Sequence, residues 1–195
     1  MDLEALLPAL KLTGEGRGRL AMDKKTYVFG YEAVLKENSD WVLAISVPLQ
    51  GEEVLILKDL RSKKSPDGGD RNFETRINDE LRHRSGDQAV TGESFLEEFR
   101  GMLRFVLREK LQLTATCKRI QEALECIFEE EVYRVSSTNN EIIIRRQIDE
   151  KHYVEMTGQN LTGPIFTRNN FFLFAGAADA GKRQPVVSLE LFWKE

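Results

Sequence analysis

Residues 26–57, TYVFGYEAVLKENSDWVLAISVPLQGEEVLIL, decide the fold. In TYVFGYEAVLK, Tyr27, Phe29, Tyr31, Ala33 and Leu35 fall on one face and Val28, Gly30, Glu32, Val34 and Lys36 on the other, the period of a β-strand. After the polar turn Glu37-Asn38-Ser39-Asp40, WVLAISV places Trp41, Leu43, Ile45 and Val47 on one face and Val42, Ala44 and Ser46 on the other. Both faces are largely apolar, so this strand is expected to be covered on both sides. Pro48-Leu49-Gln50-Gly51 then reverses the chain into EEVLILK, because proline presets one backbone angle and glycine permits a positive one. Leu49 is left at the tip of that turn.

Upstream, LTGEGRGRLAM alternates as well, with Leu12, Gly14, Gly16, Gly18, Leu20 and Met22 on one face. Glycines on one face leave a trough where another group can approach or the sheet can bend. Residues 11–58 are therefore predicted to be a four-stranded antiparallel meander, preceded by a short amphipathic helix over residues 2–10. Residues 59–92 mix charges with Gly, Ser, Pro and Asp and read as an exposed loop region. Its basic residues are interleaved with acidic ones, which favours a solvated loop over a nucleic-acid footprint.

At Thr91 or Ser94 the period changes to 3.6. Glu97 stands three after Ser94, and Phe95, Phe99, Met102 and Val106 with Leu96, Leu103 and Leu107 form a wide apolar face, predicting a helix to about Lys110. A second helix is predicted from about Thr116 to Glu130, with Cys117, Ile120, Leu124, Ile127 and Phe128 inward. On it, Cys117 and Cys126 would stand about 180° apart and could not pair. From Val132 onward VYRVSS, EIIIRRQI, HYVEMTG, IFTRNNFFLF and PVVSLELFW read as strands. The expected fold is one α+β domain over residues 1–195. Its curved antiparallel sheet forms an incomplete β-barrel, with two central helices (residues 93–130) packed across or into its mouth and antiparallel strands over residues 131–195.

The 195 residues are 41% apolar and 31% charged with net charge −4, a soluble globular composition with no global pull on nucleic acid or anionic lipid. No apolar run approaches the ~20 residues of a spanning helix. The segment MDLEALLPALKL has neither the basic region nor the apolar core of a secretory signal, so a cytoplasmic protein or one with its export signal removed is expected.

Chemistry is sparse. GAADAGKR, Gly176 to Arg183, has the spacing of a phosphate-binding loop, but Arg183 replaces the magnesium-binding hydroxyl and Pro185 follows where a helix should start. A hairpin loop is expected there. Glu52 and Glu53 point to opposite faces of a strand and are read as edge solvation. His83 and His152 are the only histidines, and no zinc spacing exists. No enzyme, cofactor or metal is expected. What stands out is a surplus of aromatic side chains on strands. A curved sheet with helices across it can keep an apolar cavity.

GRLAM at Gly18 to Met22, VFGYE at Val28 to Glu32, DWVLAISVPLQGEEVLIL at Asp40 to Leu57 and a last strand ending in Trp193 resemble the LolA/LolB-like lipoprotein-localisation family. The resemblance covers about fifty residues well. It implies an incomplete barrel around an apolar cavity that handles lipoprotein acyl chains in the periplasm. It also implies that Leu49 takes the place of the protruding leucine of the outer-membrane receptor, touching membrane or incoming lipid. Two unpaired cysteines depart from what an oxidising compartment favours. The expected function is non-enzymatic binding of acyl chains or another lipid for transfer to the outer membrane. The cavity would be lined by Tyr27, Phe29, Tyr31, Trp41, Leu43, Ile45 and Phe99, in a monomer of the periplasm or outer-membrane surface. The alternative is a protein-binding or regulatory module with a filled core.

Overall fold

The computed structural model describes residues 12–22, 25–48, 51–63, 73, 92–138, 141–150, 152–159, 168–175 and 185–193. Four strands come first: β1 (Gly14–Met22), β2 (Lys25–Leu35), β3 (Trp41–Val47) and β4 (Gly51–Leu57). The helix α1 (Gly92–Val106) follows, then β5 (Thr116–Ile120), β6 (Ala123–Phe128), β7 (Glu131–Ser137), β8 (Glu141–Gln147), β9 (His152–Gln159), β10 (Arg168–Ala175) and β11 (Val187–Trp193). All eleven strands form one sheet in the order β4-β3-β2-β1-β11-β10-β9-β8-β7-β6-β5. Every pairing is antiparallel, so the chain builds two meanders whose first and last strands join, Gly16 to Met22 of β1 against Val187 to Trp193 of β11. Across that junction Arg19 of β1 donates to Glu190 of β11 at 2.8 Å, and farther along the sheet Asn170 of β10 donates to Thr157 of β9 at 3.0 Å.

The sheet curls around α1. Phe99 touches Trp41 of β3 and Phe171 of β10 (ring centroids 5.5 and 4.9 Å), while Phe105 stacks on Tyr133 of β7 at 4.2 Å and meets Phe128 of β6 at 5.7 Å. Laid flat, β3 and β6 would stand about 38 Å apart at the usual strand spacing. A helix only about 10 Å wide reaches both because the sheet wraps it. Polar ties reinforce the wrap. Arg100 donates to the carbonyls of Lys58 and Asp59, both at 2.7 Å, where the chain leaves β4. Arg104 donates to the carbonyls of Leu60 and Ser62 and pairs with Glu129 in the β6–β7 turn. One side chain thus spans the opening between the two ends of the sheet, whose edge strands β4 and β5 are not paired with each other.

This architecture corrects the α+β expectation with two central helices. The described residues hold one helix, and the second predicted helix, Thr116 to Glu130, is the hairpin β5–β6. The inward set Leu124, Cys126 and Phe128 alternates at period 2 and is buried, while Ile120 and Ile127, assigned to the helix's inner side, are exposed. Its turns were hidden because they lack the usual Asn-Gly signal: Gln121, Glu129 and Glu130 themselves adopt positive φ of 55°, 53° and 74°. Cys117 and Cys126 stand directly opposite in the ladder and form a disulfide, overturning the expectation that they cannot pair. Outward, β3 is only half covered, since Val42 and Ala44 are partly exposed and Ser46 is exposed. The helix begins at Gly92 and ends at Val106, earlier than Ser94 and Lys110. The helix expected over residues 2–10 and nearly all of the 59–92 loop beyond Lys63 lie outside the described residues.

Candidate functional site

Period 2 sends Phe29, Tyr31, Trp41, Leu43 and Ile45 to the concave face, and all five are buried. Two glycines of β1 make room for them. A Cβ on Gly18 would collide with the Phe29 ring, and one on Gly16 would meet the Phe192 carbonyl and stand 2.9 Å from the Tyr31 hydroxyl. Tyr31 packs edge-on against Trp193 and Phe29, at 5.2 and 6.3 Å. Its hydroxyl is buried without a hydrogen-bond partner among the described residues, and burial pushes the phenol well above its ordinary range.

Apart from Tyr31, held between Phe29 and Trp193, the predicted lining residues separate into two groups. Trp41, Leu43 and Phe99 belong to the packed interior: Trp41 and Leu43 are fully buried, the Trp41 indole donates to the Leu12 carbonyl at 2.9 Å, and its ring meets Phe99. Tyr27, Phe29 and Ile45 instead line an apolar cleft with Leu20, Met22, Val47, Glu53 and Phe73. The cleft lies toward the β1–β2 and β3–β4 turns, the end of the sheet whose turn carries Leu49. Leu49 itself lies outside the described residues. The free volume in the cleft is about 20 Å³, room for about one water.

Sequence reasoning passed over Glu53 and Phe73. Glu53 shares the inward face of β4 with Leu55 and Leu57 and is buried, unlike its exposed neighbour Glu52, so period 2 carried the signal and the edge-solvation reading was wrong for it. Phe73 falls in the stretch read as an exposed loop region, yet it is buried. It reaches the cleft from a segment outside the sheet.

A second cleft, of about 280 Å³, lies between α1 and β7–β8. It is polar: Lys63, Arg100, Arg104 and Arg146 face Glu97, Glu98, Glu129 and Glu131. Arg146 pairs with Glu98 and, at 3.1 Å, with Glu131, so the charges already answer one another. Burial, with Arg104 beside it, holds the Arg100 guanidinium below its ordinary value, and burial alone does so for Arg146. This cleft fastens the helix. A third depression, on the outer face over Gly30, is edged by Glu15, Glu32 and Glu52.

Among the described residues no group of His, Cys, Asp and Glu could hold a metal ion, and no helix is long and apolar enough to cross a membrane. The segment from Gly176 to Gln184 lies outside the described residues, but its flanks β10 and β11 pair antiparallel, as a hairpin requires and a phosphate-loop unit does not. No protein-family model matches the chain, and no curated protein matches it significantly.

Proposed function

We propose that the concave face binds an apolar ligand through the cleft at the β1–β2 and β3–β4 end, and that the ligand is an acyl chain of the kind lipoproteins carry. The cleft itself carries this reading. Seven apolar side chains and the carboxylate of Glu53 converge there, at the end of the sheet that bears the Leu49 turn. An apolar concavity with one polar group is the usual form of a small-molecule site. With about 20 Å³ free, an acyl chain enters only by displacing a side chain. Phe73 is the candidate, because it comes from outside the sheet and its removal breaks no strand pairing. The Cys117–Cys126 disulfide suits an oxidising compartment and removes the objection that two free thiols raised against the LolA/LolB-like reading.

The second reading, a protein-binding module with a filled core, is favoured by the ring cluster of α1 against β3, β6, β7 and β10, which occupies most of the trough. Fluorescent fatty-acid titration separates the two. Under the first reading Phe73→Ala binds more tightly than the parent protein, and a Phe29→Glu variant that still folds does not bind. A protein that takes up no fatty acid in either the parent or the Phe73→Ala form has a filled core. The lipoprotein assignment is tested with Leu49→Glu: acyl-chain binding should persist while transfer to liposomes falls. Unchanged transfer leaves a generic apolar-ligand binder.

A further inference from the structure

β5 is held to the molecule differently from every other strand. Among the described residues it is an edge strand that pairs only with β6, and all five of its residues are exposed. None of them belongs to the hydrophobic core. Besides the ladder itself, the hairpin has the ion pair Lys118–Glu125 at 2.9 Å, whose lysine is 66% exposed and which contributes little. The strongest tie is covalent, the Cys117–Cys126 disulfide.

The two sulfurs sit in unlike surroundings. Cys126 is fully buried, between the buried Leu124 and Phe128 along β6 and opposite Tyr133 of β7. Cys117 is exposed on the edge strand, followed by Lys118 and Arg119. An incoming thiolate can approach only one end of such a bond, and Arg119, two residues on along the same face of β5, favours its arrival there, whereas Lys118 is paired with Glu125 on the other face.

We propose that Cys117–Cys126 is a site of thiol–disulfide exchange with an external dithiol, entered at Cys117, and that its state decides whether β5 stays on the sheet. The thiolate of the dithiol attacks Sγ of Cys117 and forms a mixed disulfide. The Cys117–Cys126 bond breaks, and Cys126 leaves as a thiolate that takes up a proton. The second thiol of the reductant then attacks its own sulfur in the mixed disulfide, so the dithiol leaves oxidised and Cys117 is released as a thiol. Because the departing thiolate is in apolar surroundings, exchange is slower than at a free, fully solvated disulfide. Reduction leaves the fold in place: β6 remains paired with β7 from Ala123 to Phe128 and keeps its buried side chains. The strand lost is the one that buries nothing.

The test uses the whole chain with dithiothreitol under native conditions, followed by alkylation, peptide mass spectrometry and amide hydrogen exchange. The expected result is one disulfide before treatment and its reduction without denaturant. Amide exchange should rise more than about tenfold over residues 116–120 while β1–β4 and α1 stay protected. Single-cysteine variants separate the two ends. With glutathione disulfide, Cys126→Ser should form the mixed disulfide at Cys117 at least about ten times faster than Cys117→Ser does at Cys126. Equal rates in the two variants, reduction that needs denaturant, or unchanged exchange over residues 116–120 would each overturn the proposal.

Discussion

Substituting alanine for Gly16 and, separately, for Gly30 asks whether the β1–β11 junction is as tight as the geometry requires. Neither glycine has a positive φ, so alanine is allowed by the backbone at both sites. They differ in what a methyl group would meet. At Gly30 the nearest atom is the Ser46 Cβ at 3.9 Å, an ordinary contact. At Gly16 the methyl would overlap the Phe192 carbonyl oxygen and stand 2.9 Å from both the Phe192 carbonyl carbon and the Tyr31 hydroxyl. The obstacle is backbone of the partner strand, which can move only by opening the ladder that joins the two meanders. Overpacking costs about 1–3 kcal/mol, and each ladder hydrogen bond lost adds about 0.5–1.5 kcal/mol. A net loss near 3 kcal/mol is expected, which lowers the melting temperature by roughly 6–12 °C for a chain of this size. Gly30→Ala should be neutral or stabilising by about 0.5–1 kcal/mol, since alanine loses less entropy in a strand. Circular-dichroism melts of the three proteins decide it. A Gly16→Ala variant that melts with Gly30→Ala would refute the argument that the close approach of β1 and β11 holds the halves together.

Phe99→Ala removes a ring packed against Trp41, Phe95 and Phe171 and should cost about 3–5 kcal/mol by chemical denaturation; a loss below about 1 kcal/mol would mean that α1 is not core. Arg104→Leu leaves the Leu60 carbonyl and Glu129 without their donor, while the Ser62 carbonyl keeps Arg100. Since Glu129 keeps 23% of its exposure, a loss of about 2–3 kcal/mol is expected rather than the full cost of a buried pair. Alkaline pH should unfold the protein through Tyr31 and Tyr133, whose phenols burial raises above the ordinary value, Glu131 and Glu129 adding to the rise at Tyr133. The folded state holds both protons longer than the unfolded chain, so this stability is complete below pH ~10 and is lost as pH rises past it. Two of the four tyrosines should therefore ionise only with unfolding, and four phenolates appearing together near the ordinary value in folded protein would contradict their burial. In acid the sign reverses at Glu125. The hydrogen bond from Lys118 holds its carboxyl below the ordinary range, so its hold on the hairpin is present above that range and fades as pH falls through the depressed value. Amide exchange of β5 in mild acid reports it.

The sheet face on which the candidate cleft opens was legible because the side-chain period of a strand is fixed by covalent geometry, though only Tyr27, Phe29 and Ile45 of the expected lining residues stand at the cleft. Alternation put Phe29 with Tyr31 on one face of β2 and Trp41, Leu43 and Ile45 on one face of β3, the ladder register joined the two sets, and the glycines of β1 marked the place where rings approach. Alternation also held the inward position of Glu53, although its charge suggested solvent. The 3.6 period found α1 for the same local reason. The residues from Thr116 to Phe128 show the limit. Their apolar positions fit a helix and a hairpin nearly equally, and the turns that settle the matter use Gln121, Glu129 and Glu130 at positive φ without glycine or asparagine. Only long-range packing can impose that conformation, here by pairing β6 with β7 and seating Phe128 against Phe105. The disulfide follows from the same decision, since helix would have separated the cysteines and the ladder sets them opposite. Tertiary structure alone also decided which lining residues stay at an open mouth and which disappear under α1. A strand's sequence fixes which face is apolar, but how far a helix fills the trough depends on the sheet's curvature, which no single stretch of sequence contains.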